Sequence, residues 1–176
     1  MTTLSEPASH PLPRPSVPAP TADRPTYQWE KLSDILAEAA PLIIQHWREV
    51  DWFDGRLPLD PDWSRALEYE RMGVLHILTV RHEGHLRGYI FSYILDSIFF
   101  SQRWATVQGF WLSPVHRSGW TGVKLFRENE AGLRALGAKA ISVEILLKIA
   151  KDRGTLGKIL ERLGYQPIGV LYAKVL

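Results

Sequence analysis

No cysteine occurs anywhere in the 176 residues, which excludes disulfide frameworks, thiolate metal sites and cysteine nucleophiles together while leaving the compartment open. Net charge is nearly absent as well. Lys and Arg number 21 against 19 Asp and Glu, a formal +2, too little for the uniform field that gathers nucleic acid or an acidic membrane surface. No apolar run reaches the roughly 18 residues of a membrane span, and the N-terminus lacks the apolar stretch of a signal peptide. The expectation is a cytoplasmic protein without nucleic-acid or membrane partners. What is present, 45% hydrophobic and 23% charged residues, is the balance of one globular domain around a single core.

Seven of the twelve prolines lie in the first 25 residues, at Pro7, Pro11, Pro13, Pro15, Pro18, Pro20 and Pro25. They stand among Ser, Thr and Ala with hardly any large apolar side chain. Proline fixes φ and removes donors, so residues 1–26 are expected to form a disordered, polyproline-like arm, either a plain tail or a segment that docks on a protein partner. The folded domain is then 27–176.

Between Tyr27 and Trp52 the apolar residues Trp29, Leu32, Leu36, Ala39, Ile43 and Trp47 recur at helical spacing, interrupted by Pro41, which predicts one amphipathic helix or two in tandem. Asp60-Pro61-Asp62-Trp63 reads as a helix start with Asp60 as cap, and Gly73 closes that helix after Met72. The period then changes. Val74–Arg81 and Leu86–Leu95 are rich in β-branched and aromatic residues, with the tight-turn pair Glu83-Gly84 between them, so they predict a hairpin. A third strand, Trp104–Leu112, stops before Pro114, and a helix carrying Leu125, Phe126 and Leu133 ends at Gly137. A strand over Ala140–Leu147, a helix with Leu156, Ile159, Leu160 and Leu163 on one face, and a last strand from about Ile168 to Val175 complete the chain. A strand meander followed by alternating helices and strands implies an α/β fold, a mixed central sheet with helices on both faces.

The most informative stretch is Phe110–Phe126, a strand, a proline, an arginine, then small residues at the mouth of a helix. Unobstructed main-chain N–H groups at a helix N-terminus, aided by the helix dipole, suit a bound pyrophosphate. With the order of the other elements, this segment resembles the acyl-CoA signature of the GCN5-related N-acetyltransferase (GNAT) family, a strand and proline followed by Arg-x-x-Gly-x-Gly/Ala opening a helix. Arg117 takes the arginine position and Gly122 the final glycine, while Trp120 stands where the family keeps the middle glycine, next to Gly119. Ile159-Leu160-Glu161-Arg162-Leu163-Gly164-Tyr165 is similar to the family's closing helix and Leu-Gly-Tyr/Phe turn. More narrowly, Leu59–Trp63, the Gly-Val-Leu start of the first long strand and the Leu-Gly-Tyr-x-Pro near the end resemble short GNAT-like proteins of tailed bacteriophages.

The resemblance implies transfer of an acetyl group from acetyl-CoA to the amine of a small molecule or protein, by direct attack on the thioester. It also implies a V-shaped opening between the strands 104–112 and 140–147. Phe110, Trp111 and Leu112 would line the pantetheine arm there, and Arg117, Ser118, Gly119, Trp120, Thr121, Gly122 and Val123 would surround the pyrophosphate. Without it, Arg117 reads as an exposed loop arginine that needs no ligand. The amine would enter beside the first two helices, near Asp96, Phe99 and Phe100.

Acyl transfer to an amine calls for a base and an acid. The strand 104–112 holds no carboxylate, and Gln108 is its one long polar side chain. Glu144 is the base candidate, desolvated and activated if it faces the core, inert if it points outward; Asp96 and His116 are reserves. The family's acid is a tyrosine in the closing helix, a position held here by Leu160, which leaves Tyr165 and Tyr172 as candidates. His82-Glu83-Gly84-His85 lacks the four-residue spacing of a zinc helix and reads as a turn, so no metal is expected. The seven tryptophans fall mostly at core positions, without an interleaved basic stripe for nucleic acid. Trp120, Leu160 and Gln108 keep a second function open, a GNAT-like protein without catalysis that serves as a structural or partner-binding component, for example of a phage particle.

Overall fold

The computed structural model describes residues 24–51, 55–96, 101–145 and 153–169. Five strands, β1 (Thr26–Glu30), β2 (Leu75–His82), β3 (His85–Asp96), β4 (Arg103–Leu112) and β5 (Ala140–Val143), form one sheet in that order. The first four are antiparallel, and β5 joins β4 in parallel. The helices are α1 (Leu32–Val50), α2 (Trp63–Arg71), α3 (Thr121–Ala135) and α4 (Arg153–Arg162). The expected mixed α/β sheet is the observed one.

Helices cover both faces. Leu32, Ile35 and Ala39 of α1 pack on Leu75, Ile77, Tyr89 and Trp111, while Leu125 and Phe126 of α3 and Leu160 of α4 pack on Leu78, Val80, Ile90 and Val107 across the sheet. The two sets alternate along β3, with Tyr89, Phe91 and Tyr93 toward α1 and α2 and Ile90 toward α3, as a period of two requires.

Two local readings are corrected, and one open alternative, a single first helix or two, is decided for the single helix. Residues 26–30 are a strand, not the start of a helix, because Tyr27 and Trp29 pair with Val80 and Leu78 along the edge of β2. Trp29 lies over Gly132 of α3, where a Cβ would fall 2.1 Å from the indole Cζ2, so a missing side chain on one helix makes the seat for a ring on the sheet. Pro41 does not divide α1: it is exposed, and the helix runs through it at the loss of one hydrogen bond. The cap of α2 is Asp62, whose carboxylate accepts from the Arg65 N–H at 3.0 Å, so the helix starts two residues later than the Asp60-Pro61 pair predicts. Glu70 of α2 in turn accepts from the Leu32 N–H and ties the two helices together at the start of α1.

The Glu83-Gly84 turn is as expected, with φ of 54° and 78°, the left-handed pair that matches strand twist in a two-residue hairpin. Phe99, Phe100, Tyr172, residues 146 and 147 of the expected fourth strand and most of the last strand fall outside the described residues, as does nearly all of the proline-rich arm; Ile168 and Gly169 are not in a strand. Among the described residues no helix is long and apolar enough to cross a membrane.

Candidate functional site

Two halves of β4 differ. From Trp104 to Val107 it pairs with β3 on one side and with Ala140–Val143 of β5 on the other. The Trp104 indole N–H donates to Ser142 Oγ at 3.1 Å, and the Ser142 hydroxyl donates to Thr106 Oγ1 at 3.1 Å, stitching the two strands by side chains as well. Beyond Val107 the pairing with β5 ends while the pairing with β3 continues to Leu112. Gln108 is the extra residue of a β-bulge, since Gly109 lies opposite Phe91 and Val107 opposite Ser92.

The bulge decides which groups face the gap. The Ser113 N–H donates to the Arg87 carbonyl at 2.8 Å, so residues 87 and 113 are a hydrogen-bonded pair. In antiparallel pairing such pairs alternate with pairs whose main-chain groups turn outward. Trp111 and Gly109 therefore spend their N–H and C=O on β3, and Phe110 and Leu112 aim theirs at the open side. Their side chains pack with the α3–α4 core, whereas Trp111 is buried toward α1. Of the three residues expected to line a pantetheine arm, Phe110 and Leu112 turn their main-chain groups to the open side, and Trp111 turns its own to β3.

Next to this edge stands the start of α3. Its first intrahelical bond runs from the Lys124 N–H to the Trp120 carbonyl at 2.9 Å, which places the N–H groups of Thr121, Gly122 and Val123 before the helical ladder, and no side chain caps them. Tyr27 holds this turn, its hydroxyl donating to the Thr121 carbonyl at 3.2 Å; burial pushes the phenol up, and it remains a donor. Gly119 has φ of 77°, so the left-handed residue of the loop is a glycine one place before the family position. Trp120 at that position is in ordinary right-handed geometry and 76% exposed, with the indole largely in solvent. Ser118 is exposed beside it.

Arg117 is exposed, and its guanidinium is held against the edge. Its Nε–H donates to the Leu112 carbonyl at 2.8 Å, its Nη2 pairs with Glu49 of α1 at 2.6 Å, and the guanidinium lies over Trp111, 5.8 Å from the ring centroid. Glu49 also accepts from the Trp111 indole N–H at 3.1 Å.

The expected proton-transfer residues do not gather at this edge. Glu144 is exposed, one residue past the last paired position of β5, which is the outward alternative. Tyr165 packs against the α3–α4 core with its hydroxyl buried beside Glu130, which together with burial pushes the phenol well up and keeps it protonated. Leu160, at the family's tyrosine position, is 5% exposed core. Asp96 pairs with Arg103 at the opposite end of β4, roughly 17 Å from the bulge by strand rise. His116 is partly exposed: its Nδ1 is 2.7 Å from Ser113 Oγ and its Nε2 3.1 Å from His82 Nδ1, an arrangement that ties the loop after β4 to the β2–β3 hairpin. Among the described residues no cluster of three or more metal-ligating side chains occurs.

A residue that the sequence reading passed over does stand at the bulge. His46 of α1 lies with Cε1 3.6 Å from where a Gly109 Cβ would be, and its Nδ1 is 2.9 Å from the hydroxyl of Tyr89, itself 1% exposed. Its signal was position: His46 falls four residues after Leu42 and seven after Ala39, on the apolar stripe of the helix.

No protein-family model matches the chain, and no curated protein matches it. Solved structures do. An aminoglycoside acetyltransferase from an uncultured soil metagenomic sample superposes with a TM-score of 0.70 at 12% identity, over 87% of this chain and 99% of that one. The ribosomal-protein-alanine N-acetyltransferase of Brucella melitensis gives 0.67 at 17%, over 87% and 98%. A GNAT family acetyltransferase of Staphylococcus aureus gives 0.57 at 14%, over 86% and 98%. The fold is that of the GNAT acetyltransferases.

Proposed function

We propose that the chain is an acyl-CoA-dependent N-acyltransferase, transferring acetyl from acetyl-CoA to the amine of a small molecule or protein. The observation that carries this reading is the juxtaposition of two main-chain arrays that no strand or cap fills among the described residues: the outward groups of Phe110 and Leu112 beyond the bulge, where only the Leu112 carbonyl is taken, by the Arg117 side chain, and the N–H groups of Thr121, Gly122 and Val123 at the start of α3. The first suits an amide-bearing arm that adds to the sheet edge as a strand would. The second suits a pyrophosphate at the helix mouth, framed by Ser118, Gly119 and Trp120. The solved neighbours named for acetyl transfer support the same chemistry by analogy of fold.

Acetyl-CoA would supply the activated acyl group, and the protein position and polarisation. In this reading Arg117 exchanges Glu49 for the pyrophosphate when acetyl-CoA enters. Glu144, being exposed, would accept the proton through water, and Tyr165 and Tyr172 remain the donors proposed for the thiolate. The domain comprises 27–176, with 1–26 a proline-rich arm that is either a plain tail or a segment that docks on a protein partner, and phage origin and a cytoplasmic site of action belong to the same proposal.

A second reading, a GNAT-fold partner-binding or virion component without catalysis, is favoured by Leu160 in the core and by Arg117 held by Glu49. Calorimetry with acetyl-CoA on the wild type and on Trp120→Gly separates the two. Binding by the wild type is expected. Binding by neither variant, or only by the glycine variant, would favour the partner-binding reading.

A further inference from the structure

His46 is a half-buried imidazole at the fork of the sheet to which the acyltransferase reading has given no task. Its surroundings fix more than its position. Tyr89 is buried between His46 and Phe91, stacked on the latter at 4.5 Å between centroids, and its hydroxyl lies 2.9 Å from His46 Nδ1. A buried phenol needs an acceptor for its proton, and a neutral imidazole offers one at its unprotonated nitrogen. Tyr89 donating to Nδ1 leaves the ring proton on Nε2.

Direction follows from the sheet order. The two nitrogens of an imidazole point to nearly opposite sides. Nδ1 is turned to Tyr89 on β3, and Cε1, between the nitrogens, lies over Gly109 on β4. Nε2 is thus carried past β4, toward the side on which β5 departs. Burial pushes the His46 pKa down and Arg117 does so further, against the opposing pull of Glu49 one turn along α1, so the ring is neutral at neutral pH. Burial with Glu49 nearby pushes the Tyr89 phenol far up, and it keeps its proton.

We propose that His46 is a catalytic residue that donates its Nε2–H to the carbonyl oxygen of the acyl thioester, with Tyr89 as the positioning residue that holds the donating tautomer. The inference rests on the acyltransferase reading and deepens it. The lone pair of the free amine forms the C–N bond as the carbonyl π pair moves onto oxygen, and the developing oxyanion takes up the Nε2–H bond. The carbonyl then re-forms, the C–S bond breaks with its pair leaving on sulfur, the proton of the amine passes through water to Glu144, and the thiolate takes its proton from the tyrosine donor of the acyltransferase reading, which solvent restores. His46 ends the cycle with the proton it began with. A neutral donor fixed in place before charge develops is the arrangement that stabilises such an intermediate.

Two measurements test it. Nitrogen-15 NMR of the free protein reads the tautomer: Nε2 protonated and Nδ1 bare is expected, with that preference relaxed in Tyr89→Phe, and a protonated Nδ1 overturns the proposal. Infrared difference spectra of carbonyl-13C acetyl-CoA read the bond itself. In the wild type the thioester band lies lower than in His46→Phe, whose affinity falls by no more than about tenfold, the worth of one neutral hydrogen bond. Binding with an identical band in both proteins overturns the role of His46 alone. Absence of acetyl-CoA binding by the wild type overturns the acyltransferase reading and this proposal with it, whatever the tautomer.

Discussion

The half of β4 before Gln108 and the half after it share a strand and differ in every neighbour that concerns function. Trp104–Val107 has a strand on both sides and a side-chain chain from Trp104 through Ser142 to Thr106. Phe110–Leu112 has β3 on one side, and on the other an edge that no strand pairs among the described residues and that lies next to the mouth of α3. The first half shows what a satisfied strand looks like; the second shows that the same backbone becomes a binding surface once its partner diverges. The bulge makes this possible without turning the core inside out. With one extra residue, Phe110 and Leu112 share the α3–α4 face with Val107, and Gly109 and Trp111 are turned to α1.

The comparison breaks most severely at Gly88, opposite Leu112. A Cβ there would lie 2.4 Å from Leu112 Cδ2 and 2.6 Å from the Trp111 carbonyl oxygen. The second contact is backbone, so the later half of β4 must move. Gly88→Ala is expected to cost about 1–3 kcal/mol by overpacking, read by chemical denaturation, and to weaken acetyl-CoA binding as well.

Ser142→Ala acts on the earlier half. It removes both hydrogen bonds that join Trp104 and Thr106 to β5, at about 1–2 kcal/mol of stability, and acetyl-CoA affinity by calorimetry should stay at the wild-type value. A loss of affinity comparable to that of Gly88→Ala would erase the distinction between the halves.

Glu49→Gln sharpens it. The Arg117–Glu49 pair is partly exposed, so its removal should change stability by less than about 1 kcal/mol. Freed from the carboxylate, Arg117 is expected to raise acetyl-CoA affinity about two- to fivefold, the worth of a partly exposed ion pair; a lower affinity would mean that Glu49 positions Arg117 and does not compete for it. The smallest effect is expected at Trp120. Because its indole is largely in solvent, Trp120→Gly should leave stability within about 1 kcal/mol of wild type, the helix-cap and backbone-entropy cost of glycine included, and affinity nearly unchanged.

Much of this was legible in the sequence. Glu83-Gly84 between two β-rich runs marks the β2–β3 hairpin, and the run from Phe110 through Pro114 to Gly122 marks a strand leading to an open helix mouth. The elements that were missed depend on distant partners. Trp29 sits three residues before Leu32 and continues the helical spacing of α1, yet pairing with Leu78 on β2 makes it a strand. The bulge at Gln108 leaves no composition signal, because it is a mismatch of register between two strands, and so the outward aim of Phe110 and Leu112 could not be read from either alone. Arg117 has the right position in the motif, but its engagement with Glu49 spans 68 residues of sequence. His46 shows only as one polar residue on an apolar stripe; its meaning comes from Tyr89 and Gly109, which the fold brings to it.

The measurement that goes most directly to the edge of β4 is amide hydrogen exchange, residue by residue, with and without acetyl-CoA. If the open edge and the mouth of α3 hold the acyl donor, the amides of Phe110, Leu112, Thr121, Gly122 and Val123 will exchange more slowly once acetyl-CoA is added, and those of Trp104–Val107 will be unchanged. Saturating acetyl-CoA with no added protection at Phe110 and Leu112 would contradict the assignment of that edge.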